Sequence, residues 1–179
     1  MSSSFEIDAI HPPYTRTYLA PLCANFATSM PLLQLFIINR NGGLVYNKLL
    51  NNLAPTKSVN DMMVLGSTFH SLYEIIKQIA PGASSEGIEV IETAAFKLHC
   101  FQTRTGVKFV VTATPDTRSD ELVTLCQYVY SLYSDYALKS PFYEMEQPIN
   151  CHLFSSEVNR AVQSRVYLQQ KEMTQNSRS

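Results

Sequence analysis

The sequence predicts an α+β domain, a five-stranded antiparallel sheet with helices on both faces in the order β-β-α-β-β-β-α-α. Three observations predict it. Two short, almost continuously apolar runs, residues 32–38 and 107–113, read as strands covered on both faces. Glycine-bearing turns, Asn39-Arg40-Asn41-Gly42-Gly43 and Arg104-Thr105-Gly106, lie between strand-like runs. Three further stretches carry apolar residues at the spacing of a helix face.

In chain order, residues 32–38 make a central strand, and after the Asn-Gly turn residues 44–50 return as its hairpin partner. Residues 51–57 are a linker containing Pro55, and Ser58 or Asn60 can cap the helix after it. From 59 to 80, Met62, Leu65, Phe69, Leu72, Ile76 and Ile79 recur at three and four, one face of a helix that Pro81-Gly82 ends. Gly66 in its middle suggests close approach of another backbone.

Residues 87–93 read as a half-exposed edge strand. In the next, Phe96, Leu98 and Cys100 alternate with Lys97, His99 and Phe101. Residues 107–113 are a second central strand. Residues 120–138 form a helix with Leu122, Leu125, Cys126, Val129, Tyr133 and Tyr136 in one stripe, and Pro141 breaks it. Residues 142–149 are irregular, and 153–167 form a last amphipathic helix. Residues 1–30, with Pro12, Pro13 and Pro21, are expected to be a mobile N-terminal extension, 31–168 the domain, and 169–179 a disordered polar tail.

Composition narrows the function. With 14 Lys+Arg against 15 Asp+Glu the net charge is −1, without the basic field that nucleic-acid binding uses. Only 16% of residues are charged, against roughly 25% in typical domains. Weakly polar surface of that kind suits a subunit covered by other chains. No run approaches the roughly 20 apolar residues of a membrane span, and the N-terminus lacks the basic start of a signal peptide. The four cysteines, Cys23, Cys100, Cys126 and Cys151, form no CxxC pair, so neither a zinc site nor a redox motif is expected.

No reactive constellation emerges. His99 and Cys100 are neighbours in a strand and point to opposite faces, so they cannot pair. Cys126 sits on an apolar helix stripe, where an inert core residue is expected. Glu89 and Glu92 also face opposite sides, and no phosphate loop or nucleophile elbow occurs. Neither catalytic residues, nor a metal, nor a cofactor are expected. A small cysteine hydrolase is the enzyme alternative. What stands out is aromatic surface: Tyr128, Tyr130, Tyr133, Tyr136 and Tyr143 cluster about the second helix and its exit. Tyr128 and Tyr130 cannot share one face, so some aromatic area is left outside.

Four blocks carry a resemblance. They are Phe36-Ile37-Ile38-Asn39-Arg40-Asn41-Gly42-Gly43-Leu44-Val45-Tyr46, then Ser67-Thr68-Phe69-His70-Ser71-Leu72, then Phe96 through Val111, and Tyr133-Ser134-Asp135-Tyr136-Ala137-Leu138-Lys139-Ser140-Pro141-Phe142-Tyr143 with Pro148-Ile149. In this order they resemble the synbindin-like (sybindin) subunits of the TRAPP vesicle-tethering complex, a longin-fold family, over residues 32–167. The pieces at 142–143 and 148–149 look more like those subunits than like their small longin paralogue.

The resemblance implies a longin/profilin-like fold and a non-catalytic platform subunit in a complex that promotes nucleotide exchange on a Rab GTPase in ER-to-Golgi vesicle transport. Its implied partners are the longin paralogue, a fold-unrelated core subunit and, through the complex, the GTPase. Membrane association would be peripheral and through the complex, at cytoplasmic Golgi and ER surfaces. Candidate contact residues are Phe142, Tyr143, Pro148, Ile149, His70 and Tyr130, together with the outer face of the first helix. Animal relatives carry a PDZ-like insertion where this chain has only residues 51–57, so functions of that insertion are not implied. The alternative is another longin-type trafficking or adaptor subunit that binds a SNARE or GTPase.

Overall fold

The computed structural model describes residues 32–79, 87–144 and 146–164, and the expected extension 1–30 and tail 169–179 lie outside them. The described chain runs β1 (Leu32–Ile38), β2 (Leu44–Leu49), α1 (Val59–Ile79), β3 (Val90–Glu92), β4 (Lys97–Gln102), β5 (Lys108–Ala113), α2 (Ser119–Leu132), a π-helical segment (Tyr133–Leu138) and α3 (His152–Ser164). Every pairing is antiparallel and the sheet order is β2-β1-β5-β4-β3. This is the α+β longin-like fold expected.

The two continuous apolar strands, β1 and β5, lie at the centre, paired in the register Phe36 to Val110 and Ile37 to Phe109. No hairpin joins them, so this pairing closes the sheet over the greatest sequence distance. At the β1–β2 turn, Asn39 Oδ1 accepts hydrogen bonds from Asn41 N (3.0 Å) and Gly43 N (2.7 Å). Gly42 has φ +86°, and a Cβ there would meet His70 Cδ2 at 2.9 Å. Glycine is therefore required at 42 by conformation and by space.

α1 crosses one sheet face from the β2 side. Its first turn is capped by Ser58, whose Oγ accepts from Asp61 N at 3.2 Å. The helix buries Met62, Gly66 and Tyr73, with Phe69 and Ile76 half-buried, against Ile38, Cys100, Val110 and Ile88. The expected stripe through Leu65, Leu72 and Ile79 is corrected: all three are exposed. The helix is apolar around more than half its circumference, so spacing fits two faces. Tyr73 and Met62, not the Leu65 row, meet the sheet. Gly66 lies over Leu44 and Ile38, but an added Cβ would find only ordinary contacts of 3.5 Å and more, so close approach does not demand glycine there.

α2 and α3 cover the other face. Leu122, Leu125, Cys126 and Val129 from α2, and Phe154, Val158 and Val162 from α3, pack on Leu35, Ile37, Phe109 and Val111. The helix expected up to residue 138 widens into the π segment after Leu132. Within this segment Tyr133 and Ala137 are buried.

Candidate functional site

α1 turns a row of large apolar side chains to water. Val64, Leu65, Leu72, Ile75 and Ile79 are all exposed, Ile79 to 74%. Val64, Leu72, Ile75 and Ile79 lie on one side of the helix because 64, 68, 72, 75 and 79 repeat at four and three, and Leu65 joins them two turns before Leu72. Beside this row, α1, the linker after β2 and the turn before β4 enclose an apolar groove of about 550 Å³. Phe36, Leu98 and Val110 form its floor, Leu65 and Phe69 one wall, and Leu53 the rim. Of its polar lining, Gln34 Nε2 donates to Asn47 Oδ1 at 2.9 Å and Thr112 Oγ1 donates to Gln34 O at 3.4 Å, while the exposed Lys57 also lines it.

The rotation of α1 is set at the opposite end of the sheet. Lys108 on β5 points under the helix, and its Nζ lies 3.0 Å from His70 Nδ1 and 3.1 Å from Glu74 Oε1. The Tyr73 ring covers the same ammonium at 4.6 Å. Burial lowers the His70 pKa below its ordinary value, and the Lys108 charge lowers it further. Burial alone would raise the Glu74 carboxyl, but the hydrogen bond and charge of Lys108 outweigh it and hold the group below the usual carboxylate range.

The segment after α2 forms a second protrusion. Pro141 starts a turn that leaves the Phe142 ring 94% exposed, so Phe142 does not plug the core. Tyr143 packs edge-to-face on Tyr133, with centroids 6.2 Å apart, and burial pushes its hydroxyl pKa up. Pro148 is exposed. Ile149 is only 5% exposed and its N–H donates to Val45 O at 2.8 Å, so it anchors the segment to the β2 edge and offers no side chain outward. Asn41 Nδ2 donates to Glu146 Oε1 at 2.5 Å, tying this segment to the β1–β2 turn that His70 touches from the other side. Tyr130 stands apart over Phe101 and Phe109, centroids 5.8 Å from each, with part of its ring exposed.

The six expected residues thus divide. Phe142, Tyr143 and Pro148 share one protrusion that Ile149 anchors, His70 belongs to the α1 latch, and Tyr130 lies over β4 and β5. Sequence reasoning missed Val64, Ile75 and Lys108. The first two repeat with Leu72 and Ile79 and could have been found as a second stripe. Nothing in the sequence marks Lys108, a lone charge in an apolar strand, as the partner of α1.

The two buried thiols are not activated. Burial pushes the Cys100 thiol up to about 12 and the Cys126 thiol higher still, so both are held as the weakly nucleophilic thiol. Among the described residues there is no group of three or more potential metal ligands, and no helix long and apolar enough to cross a membrane.

The chain is similar in sequence to known proteins. The Sybindin-like family matches residues 32–165. Trafficking protein particle complex subunit 4 of Dictyostelium discoideum is 48% identical over 134 residues, covering 73% of this chain and 96% of the relative. The Bos taurus protein of the same name is 48% identical over 109 residues, 61% of this chain and 49% of its own, so the chain spans about half its length. Subunit 1 of the same complex from Dictyostelium discoideum is 24% identical over 132 residues, 70% of this chain and 89% of that one. Since the family match runs from the first residue of β1 to just beyond α3, taking in the latch, the groove and the Phe142 protrusion, the chain belongs to the Sybindin-like family.

Proposed function

We propose that this chain is a non-catalytic subunit of a TRAPP-type tethering complex, contributing surface to its Rab guanine-nucleotide exchange activity in ER-to-Golgi transport. The observation that carries the reading is the apolar row on α1. Five large aliphatic side chains in one stripe are costly to leave in water, and a neighbouring subunit would cover them. The names of the relatives, subunits 4 and 1 of the trafficking protein particle complex, support a subunit role.

In this reading the α1 row and the Phe142 protrusion are docking surfaces for the longin paralogue and the fold-unrelated core subunit. Through the assembly they help bind the Rab GTPase. Exchange then needs no reactive group from this chain: an assembly that binds the nucleotide-free GTPase more tightly than the nucleotide-bound form drives release. Its place would be the cytoplasmic side of Golgi and ER membranes, held there through the complex.

The test is affinity purification of the tagged full chain with mass spectrometry, followed by a nucleotide-release assay on the recovered assembly. Co-purification of the other TRAPP subunits with Rab nucleotide release, both lost in a Leu72→Asp/Ile75→Asp variant that still folds, is expected. A chain recovered without those subunits, or an assembly indifferent to the double substitution, overturns the reading.

A further inference from the structure

Lys108 fixes the protonation state of His70. An ammonium carries N–H donors and no acceptor, so Nδ1, 3.0 Å from Nζ, is the acceptor and the imidazole is neutral. A proton added to Nδ1 sets donor against donor and puts two cations side by side. Lys108 cannot withdraw: its side chain is 1% exposed, Glu74 Oε1 holds the ammonium at 3.1 Å, and the Tyr73 ring covers it. The half-buried ring of His70 is the part that can move. The other charges nearby do not hold it in place. On α1, Glu74 lies one turn on and offers the protonated ring a new partner, while Lys77 Nζ stands over the Tyr73 ring, 6.0 Å from its centroid. On the β1–β2 turn, Arg40 is turned to Glu146 at 3.8 Å.

Movement of that ring reaches the β1–β2 turn. A Cβ built on Gly42 would stand 2.9 Å from His70 Cδ2, so ring and backbone are in contact there. Beside them Ser67 Oγ donates to Gly42 O at 3.3 Å. The turn answers as one body, because Asn39 Oδ1 accepts from both Asn41 N and Gly43 N, and Asn39 N donates to Gly43 O at 2.8 Å. Its far side holds the Phe142 protrusion: Asn41 Nδ2 donates to Glu146 Oε1 at 2.5 Å, and Arg40 faces the same carboxylate.

We propose that His70 is a proton-operated link between α1 and the Phe142 protrusion. Neutral, it braces the β1–β2 turn that holds Glu146. Protonated, it leaves Lys108, changes its contact with Gly42 and loosens the tie from Asn41 to Glu146. Burial and the Lys108 charge both disfavour the cation, so the step falls below the ordinary 6.5. The link is internal to the fold and stands whether or not the protrusion docks a partner.

NMR titration of the isotope-labelled full chain tests it. The His70 Cε1–H signal gives the midpoint of the ring itself. The amides of Gly42 and Gln147 should shift with that same midpoint. In Asn41→Ala, a change at an exposed position that leaves the fold intact, the Gly42 step should remain and the Gln147 step should be lost. In His70→Asn both steps should be lost. A Gln147 amide that stays still through the His70 midpoint overturns the proposal, as does a Gly42 amide that stays still. So does a Gln147 step that survives either substitution, which would assign it to Glu144 or Glu146 titrating directly.

Discussion

Lys108 Nζ lies 3.1 Å from Glu74 Oε1, with the lysine side chain 1% exposed and the glutamate 41%. A buried cation on the central strand β5 is thus held by a helix residue that water still reaches. His70 and Tyr73 take the other sides of the ammonium. The three partners occupy one turn of α1, so a single strand residue fixes how that helix is rotated and which of its two apolar faces points outward.

Removing Glu74 should cost more than removing Lys108. Glu74→Ala removes the counter-charge of a buried ammonium; since solvent screens the carboxylate and His70 and Tyr73 still touch the ammonium, the loss should fall below the roughly 3–5 kcal/mol of a fully buried pair, at about 2 kcal/mol. Lys108→Met replaces the charge by an apolar chain of similar volume and should be near neutral. Urea denaturation of the two variants checks the order; an equal or reversed ranking would show that the pair does not hold the helix.

Acid should loosen the fold, starting above the carboxylate range. Burial lowers the folded-state pKa of His70 and of His99 below the ordinary 6.5. The unfolded chain therefore binds more protons than the folded one as pH falls through 6.5, and stability drops until the depressed folded values are passed. Glu74, also lowered, adds a loss that begins as pH falls through its ordinary 4.5. Protonating His70 also removes the acceptor it offers Lys108 and places two cations together. Stability curves at stepped pH should show the upper part of this slope reduced in His70→Asn; an identical slope would remove His70 from the device.

Neighbours on α1 should behave oppositely. Tyr73→Ala opens a void in the α1 side of the core and should cost roughly 3–5 kcal/mol. Leu72→Ala, on the exposed row, should stay within about 0.5 kcal/mol. Phe69, half-buried at the groove wall, should fall between. Thermal melts of the three variants check the assigned face.

Gly42→Ala should destabilise by about 1–3 kcal/mol, because alanine at φ +86° is strained and its Cβ would press on the His70 ring. Trimming the ring with His70→Ala should recover part of the loss, and a double-mutant cycle by chemical denaturation measures how much.

Phe142→Asp should leave the melting temperature unchanged, since the ring is 94% exposed, and should weaken assembly with partner subunits by about tenfold or more if the protrusion is a docking knob. Co-purification yield against the unaltered chain reads this. Ile149→Ala should do the reverse and lower stability first, because its side chain lies in the main core.

Much of the fold was written in local pattern. Strand alternation, continuous apolar runs and glycine turns depend on neighbours a few residues apart, so β1, β2, β4 and β5 stand within a residue or so of where the sequence put them. The α2 stripe was legible for the same reason: one face is clearly apolar and the rest is not. α1 was not, because apolar residues surround most of it and period alone cannot choose between two faces. The π segment was missed because its residues have ordinary helical composition and nothing local marks the wider turn.

By itself the sequence determined the element order, the two central strands, the turns at Gly42 and Gly106, and the absence of any ligand-spaced or nucleophile motif. All of these are set by residue type and short-range spacing. Tertiary structure alone decided that β1 pairs with β5, that Lys108 meets His70 and Glu74, that Leu72 faces water while Tyr73 does not, and that Ile149 is buried and Phe142 exposed. Each of those depends on residues far apart in the chain. Their meeting is fixed by how the whole core closes, which no window of sequence contains.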